Sequence, residues 1–257
     1  MPRNLLAYAL VLAFTLGGCA STKSGTRGMP AGENLARLSA GAEKREKASG
    51  TGSVSWKTER RNIAATGVLV LEWPRALRLE VQDPLGGMVA FLTLKDGEFW
   101  SYMDDQGEAV TGSISGQNAK RVLPLPLSTR DYLRVLLARP PFDEAELEYG
   151  KRANTLVYES GGQVGLVEWD SATDQPRSWR LGRKGARGSY IEAVYSDYQT
   201  KAGVSYPGKI RVTLVEGGRE KLRLTWQWNE LETYIPKISD IFEIPPAWAK
   251  NVKTRTL

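Results

Sequence analysis

Histidine is absent from the 257 residues, and Cys19 is the single cysteine. Without histidine the chain lacks the commonest general base and metal ligand, and it can form no Ser-His or Cys-His nucleophile pair. A lone thiol allows no disulfide framework and disfavours zinc and iron sites. The sequence therefore predicts a protein that is not an enzyme and that uses neither a cofactor nor a metal.

Cys19 follows a short hydrophobic start. Arg3 makes this start basic, residues 5–16 form an apolar run, and the sequence LGGC occupies 16–19. Such a run is typical of a secretory signal peptide, because a membrane-spanning helix needs about 20 apolar residues. The ending resembles the lipobox of bacterial lipoproteins, which implies a signal peptide over 1–18 and acylation of Cys19. An ordinary signal peptide is the alternative.

The remaining chain divides into a tether and one body. Residues 19–32 combine the acylated cysteine with small, polar and glycine-rich residues, which predicts a flexible tether. Residues 33–48 are rich in Ala, Glu and Lys with apolar residues at helical spacing, which predicts a short amphipathic helix. No long polar linker follows, so 33–257 is predicted to be a single domain with this N-terminal helix.

Most of that domain is predicted to be strand. Apolar and polar residues alternate in short runs from residue 54 onward, and Asp96-Gly97, Gly161-Gly162 and Gly217-Gly218 are signals for two-residue hairpin turns. Two helical candidates, Gly116–Val122 and Ser128–Ala138, interrupt the strands. The pattern predicts a mainly β fold, with a single curved antiparallel sheet or unclosed β-barrel of about 11 strands and a helical lid.

The interruption carries the first candidate binding residues. Residues 123–127 form a Leu-Pro spacer, and Ser128 is placed to cap a helix that ends before Pro140. The apolar stripe of this helix is either ordinary core or a lid over an apolar cavity. Two tryptophans that share a face of the last long strand are further candidates for lining that cavity. The candidate residues are Leu125, Leu127, Tyr132, Leu133, Leu136, Leu137, Trp226 and Trp228.

A second candidate is the turn after residue 82. Asp83 and Pro84 favour the start of a turn, and Gly86 allows positive φ. Leu85 then lies at the tip of a loop. Either it folds under the sheet, or Pro84, Leu85 and Gly86 form an apolar loop that can enter a bilayer.

The formal net charge is +6. A basic surface suits an anionic membrane or nucleic acid, and a secreted location argues against nucleic acid. The basic segment Arg183–Gly188 is interpreted as a solvated loop, with contact to lipid head groups as the alternative.

Two stretches together resemble a known family. The sequence RLEVQDPLGGMVAFLTLKDGEFW at 78–100, followed by LPLPLSTRDYLRVLLARPP at 123–141, is similar to the LolB family of outer-membrane lipoprotein receptors, which is related to the periplasmic carrier LolA. The similarity covers about 66–142, and the rest agrees only in pattern. The basic segment 183–188 and the long C-terminal tail depart from the family.

The resemblance implies an unclosed β-barrel whose cavity binds the acyl chains of lipoproteins. It implies acylated lipoproteins and a periplasmic LolA-like carrier as partners, and a monomer anchored through Cys19 to the periplasmic face of the outer membrane. Leu85 corresponds to the protruding leucine with which the family inserts its cargo. The alternative is an accessory envelope lipoprotein, a structural or interaction module with the same fold and no lipoprotein cargo.

Overall fold

The computed structural model describes residues 36, 38, 40–59, 62–104, 107–114, 125, 127–139, 147–149, 154–186, 188–235, 241–244 and 253–256. Cys19, the predicted signal peptide and tether, and the helical candidate Gly116–Val122 lie outside these residues. In the described ranges no helix has the length and apolar character needed to cross a membrane.

Strands make up most of the described structure, with one well-defined helix in their midst. The strands are β1 Lys47–Thr58, β2 Asn62–Glu72, β3 Ala76–Gln82, β4 Met88–Lys95, β5 Glu98–Met103, β6 Glu108–Ser113, β7 Leu147–Tyr149, β8 Thr155–Ser160, β9 Gln163–Asp170, β10 Gln175–Arg183, β11 Tyr190–Ser196, β12 Gln199–Lys201, β13 Val204–Tyr206, β14 Lys209–Glu216, β15 Arg219–Trp228 and β16 Lys253–Thr256. The helix is α1, Thr129–Leu136.

Fourteen of these strands form one sheet in the order β16-β6-β5-β4-β3-β2-β1-β15-β14-β11-β10-β9-β8-β7. Neighbouring strands are antiparallel except at one edge, where β16 pairs in parallel with β6. The strands β12 and β13 form a separate hairpin. The sheet is curved. Among the described strands β16 and β7 are its two edges and do not pair with each other, so the sheet is unclosed. The predicted fold class is confirmed.

The predicted number of about 11 strands is too low. The missed strands include β6, which Gly112 interrupts, and β16, whose sequence Lys-Thr-Arg-Thr has no apolar residue. Neither has the apolar alternation from which a strand is predicted. Both form because a neighbouring strand offers free backbone hydrogen-bonding groups, which is a tertiary effect.

The hairpin turns agree with their sequence signals. Asp96 and Gly97 both have positive φ, as do Gly217 and Gly218, which is the geometry of a two-residue turn between twisted strands. The N-terminal helix is shorter than predicted. Residues 36, 38 and 40–43 are helical, but β1 already begins at Lys47, so the predicted helical end at residue 48 is wrong.

The sheet has two apolar faces. The inner face packs against α1 and forms the main core, in which Leu69, Leu77 and Leu133 are buried. The outer face of β2–β6 is covered by residues from the C-terminal segment, with Phe242 packed against Val70 and Ile244 packed against the cluster of Phe91 and Trp100. Thr93 Oγ1 donates a hydrogen bond to the Phe242 carbonyl at 2.7 Å. The part of the C-terminal tail that is described therefore packs back on the body, as predicted.

Candidate functional site

An apolar cavity of about 90 Å³ lies between α1 and the inner face of the sheet. Strand residues supply most of its wall, among them Leu79, Val89 and Leu92. Alternation places Leu79 and Leu92, which are partners across β3 and β4, on the inner face, whereas Val89 lies at the register shift between these two strands. The cavity is smaller than the roughly 300 Å³ at which small-molecule pockets begin, so in this state α1 largely fills the space.

The predicted cavity residues divide into two groups. Four line the cavity: Leu125, Tyr132, Leu136 and Trp226. The other four are buried in the surrounding core, outside the described lining: Leu127, Leu133, Leu137 and Trp228. Sequence reasoning also missed Val135 of α1, the lining residues of β1–β5, Val212 of β14 and Leu224 of β15.

The start of α1 is fixed by local hydrogen bonds. Ser128 Oγ accepts from the Asp131 N–H at 3.2 Å, which confirms the predicted N-cap. The Tyr132 hydroxyl donates to the Leu125 carbonyl at 2.9 Å and accepts from the Leu125 N–H at 2.8 Å. This pair of bonds ties α1 to the segment before it and leaves the polar end of Tyr132 satisfied at the cavity wall.

The end of α1 is held by Arg45, a residue that no sequence pattern marked as a candidate. Its guanidinium is buried and donates to three backbone carbonyls: Ala138 at 2.6 Å, Leu137 at 3.3 Å and Ser205 at 2.7 Å. The C-terminal carbonyls of a helix lack partners within the helix and carry partial negative charge, so a cation is favourable there. Arg45 therefore joins the end of α1 to the β12–β13 hairpin, which contains Ser205, and these three hydrogen bonds form the latch of α1. Burial lowers the pKa of Arg45, which still remains charged near neutral pH.

Three further arginines join α1 to the turn between β2 and β3. The guanidinium carbons of Arg130, Arg134 and Arg139 lie 5.5, 5.7 and 4.3 Å from the ring centre of Trp73. Cation–π contacts of this kind contribute about 0.5–1 kcal/mol each where partly exposed. They add to the hydrogen bonds of Arg45 in holding α1 in place.

Buried tyrosines near α1 and Arg45 predict a steep loss of stability at high pH. Burial raises the pKa of Tyr132, Tyr195 and Tyr198. A group whose pKa is higher in the folded state stabilises the fold fully below its unfolded pKa of about 10, and that stabilisation is lost as pH rises toward the folded pKa. Between pH 10 and pH 12 the free energy of unfolding should fall by up to about 1.4 kcal/mol per pH unit for each tyrosine.

Urea unfolding at a series of pH values measures this slope. Tyr195→Phe is the matched variant, because the Tyr195 hydroxyl is buried without a hydrogen-bond partner in the described structure. At pH 8 the variant should be as stable as the wild type. Between pH 10 and pH 12 its free energy of unfolding should fall less steeply than that of the wild type, by up to about 1.4 kcal/mol per pH unit, because one titrating tyrosine is gone. A wild-type slope near zero up to pH 12 would contradict the burial argument.

The turn that contains Leu85 stands at one end of the cavity. It joins β3 to β4, and the flanking residues Val81 and Val89 line the cavity. Asp83 Oδ1 accepts from the N–H groups of Leu85 and Gly87, each at 2.8 Å, which fixes the turn. Leu85 is 97% exposed. Of the two interpretations of this leucine, the exposed tip is the one that the geometry fits.

The described residues include no group of three carboxylate, imidazole or thiol side chains placed to bind a metal ion. The basic segment near residue 184 lies at the surface in the turn between β10 and β11, where the Lys184 ammonium pairs with Glu159.

No protein-family model and no curated protein sequence matches the chain. Solved structures do match. A domain described as that of an outer membrane lipoprotein-sorting protein from Vibrio parahaemolyticus has a TM-score of 0.57 and 10% identity, covering 83% of this chain and 97% of that one. A DUF1329 family protein from Desulfovibrio piger gives 0.56 and 12%, covering 83% and 97%. A LolA superfamily protein from Nitrosomonas europaea gives 0.51 and 9%, covering 86% and 97%. These TM-scores show a shared LolA-like fold, and at identities this low the similarity shows the fold alone.

Proposed function

We propose that this chain is a lipid-anchored envelope protein that binds the acyl chains of lipoproteins in the cavity and helps to insert them into the outer membrane. Cys19 carries the anchor, the cavity holds the chains, and the turn around Leu85 enters the bilayer. No bond is made or broken in this function.

The observation that carries the proposal is the apolar cavity beneath α1. Nearly every lining side chain is a hydrocarbon or an aromatic ring. Such a wall suits a ligand that is itself hydrocarbon, and each buried methylene contributes about 0.8 kcal/mol. About eight buried methylenes would therefore contribute roughly 6 kcal/mol, so a partly enclosed chain can bind well.

Binding a whole chain requires α1 to move. The cavity volume of about 90 Å³ accommodates only part of an acyl chain. The side chains that α1 contributes to the wall, Val135 and Leu136 among them, occupy the place that an incoming chain would take. In this account Arg45 holds the empty protein closed, and cargo replaces the apolar contacts of α1.

Release needs a better apolar environment than the cavity, and the bilayer provides it by burying all chains of the cargo together. Leu85 reduces the exposure of the acyl chains to water while they pass from the cavity into the bilayer. The anchor keeps the protein at that surface, because two or more acyl chains hold a protein stably where one does so marginally.

The matched structures support lipoproteins as the cargo. One of them is described as a lipoprotein-sorting domain, and another belongs to the LolA superfamily. The lipobox-like sequence at 16–19 also supports the proposal, since acylation of Cys19 would be the same kind of modification that the proposed cargo carries.

Filling the cavity should weaken binding. Ala90 lines the cavity, and Ala64 is exposed on β2, so the same change can be made at both positions. Ala90→Phe is expected to lower the affinity for a fluorescent triacylated peptide at least tenfold, because the ring occupies space that the chain needs. Ala64→Phe should bind as the wild type does. Fluorescence titration measures both affinities.

Equal binding by the two variants would place the acyl chains elsewhere and refute the cavity assignment. Native mass spectrometry after mild detergent extraction adds an independent result. A copurifying acylated peptide supports the proposal, whereas a stoichiometric protein partner with no lipid favours the accessory module.

A further inference from the structure

We propose that the indole N–H of Trp226 recognises the carbonyl group at the head of the acyl chain, so that the ligand is an acyl ester or amide whose carbonyl enters the cavity. This inference rests on the proposed function and adds to it the one polar contact that the cavity makes with its ligand.

The first observation is a buried donor without a partner. Trp226 lines the cavity and is only 3% exposed, and its Nε1 has no hydrogen-bond partner in the described structure. Buried tryptophans usually find a partner for this N–H, because leaving it unpaired is unfavourable. An unpaired donor on a residue that lines a cavity can be satisfied by what the cavity holds.

The second observation is that the indole ring packs closely against the backbone of two glycines. Gly52 on β1 faces Gly67 on β2 across the sheet. A Cβ at Gly52 would come within 2.6 Å of Trp226 Cζ2 and 2.8 Å of Cε2, and a Cβ at Gly67 within 3.3 Å of Cζ3. The indole therefore lies over two positions that have no side chain, and Cε2 is bonded to Nε1.

A third neighbour also constrains the ring. Trp228 contacts Trp226 edge to face, with the ring centres 5.2 Å apart. Close contacts with Gly52, Gly67 and Trp228 limit rotation of the indole, so the orientation of its N–H is set before any ligand binds. Such preorganisation distinguishes a recognition group from an aromatic side chain that only fills space.

The third observation concerns the other polar groups of the wall. The Tyr132 hydroxyl is already occupied by the backbone of Leu125. Among the described lining residues, Trp226 alone has a buried side-chain donor without a partner. A hydrocarbon beside this N–H leaves it unsatisfied, whereas a carbonyl oxygen satisfies it, and the difference corresponds to about a tenfold change in affinity.

Three probes of equal chain length test this: methyl decanoate for the ester, N-methyldecanamide for the amide, and dodecane without a carbonyl. With tryptophan indoles labelled by ¹⁵N, Trp226→Phe identifies the Trp226 signal in the purified protein. The ester or the amide should move that signal downfield, and dodecane should not. The probe that causes the larger shift, ester or amide, identifies the kind of carbonyl that fits the site.

Affinities provide the second readout. In Trp226→Phe the ratio of carbonyl-probe affinity to dodecane affinity should fall about tenfold. Trp179→Phe is the matched control, because Trp179 Nε1 is also buried without a described partner but lies outside the described cavity lining. Its ratio should remain that of the wild type. If Trp226→Phe does not fold, benzothienylalanine at position 226 removes the N–H and keeps the ring shape.

The outcomes separate the two proposals. If all probes bind while the Trp226 signal and the affinity ratio stay unchanged, the role of the N–H is refuted and acyl binding stands. If no probe binds, both are refuted.

Discussion

Replacing Arg45 with methionine is expected to lower the free energy of unfolding by about 3 kcal/mol and to release α1 from the sheet. The variant loses hydrogen bonds from a charged donor to the carbonyls of Leu137, Ala138 and Ser205. Bonds to charged groups contribute about 1.5–3 kcal/mol each, and removing the donor leaves buried carbonyls unpaired. Loss of the desolvation cost of a buried charge offsets part of this, which gives the smaller net figure.

Two measurements check this result. Urea unfolding gives the change in stability, and hydrogen exchange of the α1 amides should accelerate about 100-fold if the latch governs local opening. Acyl probes should also associate faster, because the closed state is weakened. Arg211→Met is the control, since Arg211 is exposed on β14 and the same substitution there leaves the Arg45 hydrogen bonds in place. Unchanged exchange in α1 of Arg45→Met would mean that the guanidinium does not hold the helix.

Replacing Leu85 with glutamate is expected to slow transfer of an acylated peptide into liposomes at least tenfold while leaving its binding intact. Burying a leucine side chain in an apolar phase contributes about 1.5–3 kcal/mol, and a carboxylate at the same tip opposes insertion. The fold should be unaffected, because Leu85 is almost fully exposed and the turn is fixed by Asp83.

Transfer from the purified protein to liposomes, followed by fluorescence, measures this effect. Tyr234→Glu is the matched control, since Tyr234, on the segment after β15, is the other large apolar side chain that is exposed among the described residues, at 60%. It should transfer cargo at the wild-type rate. If Leu85→Glu also transfers at that rate, the turn has no part in insertion.

Local patterns in the sequence predicted the features that depend on neighbouring residues. Ser128 caps α1 because its hydroxyl needs only an N–H three residues away. The turn at Asp96-Gly97 forms because those residues accept positive φ. Alternation along β15 correctly placed Trp226 and Trp228 together, since both are buried and in contact.

Features that depend on distant residues were not predictable in this way. Arg45 lies among lysines and glutamates in a segment that resembles a solvated helix face, and its partners are 92 or more positions away. The strand β16 has a polar sequence and exists through pairing with β6. Likewise, the pattern could not separate Leu136, which lines the cavity, from Leu133, which is core, because both lie on the apolar stripe of α1.

The central claim is that acyl chains bind between α1 and the inner face of the sheet. The most direct test is photo-cross-linking with a triacylated peptide that carries a diazirine in the middle of one chain, followed by mass spectrometric mapping of the labelled residues. The account predicts labels on α1 and on the cavity-lining residues of β4 and β15. Labels confined to the outer face, for example at residues 241–244, or no label above that of a chain without the diazirine, would contradict it.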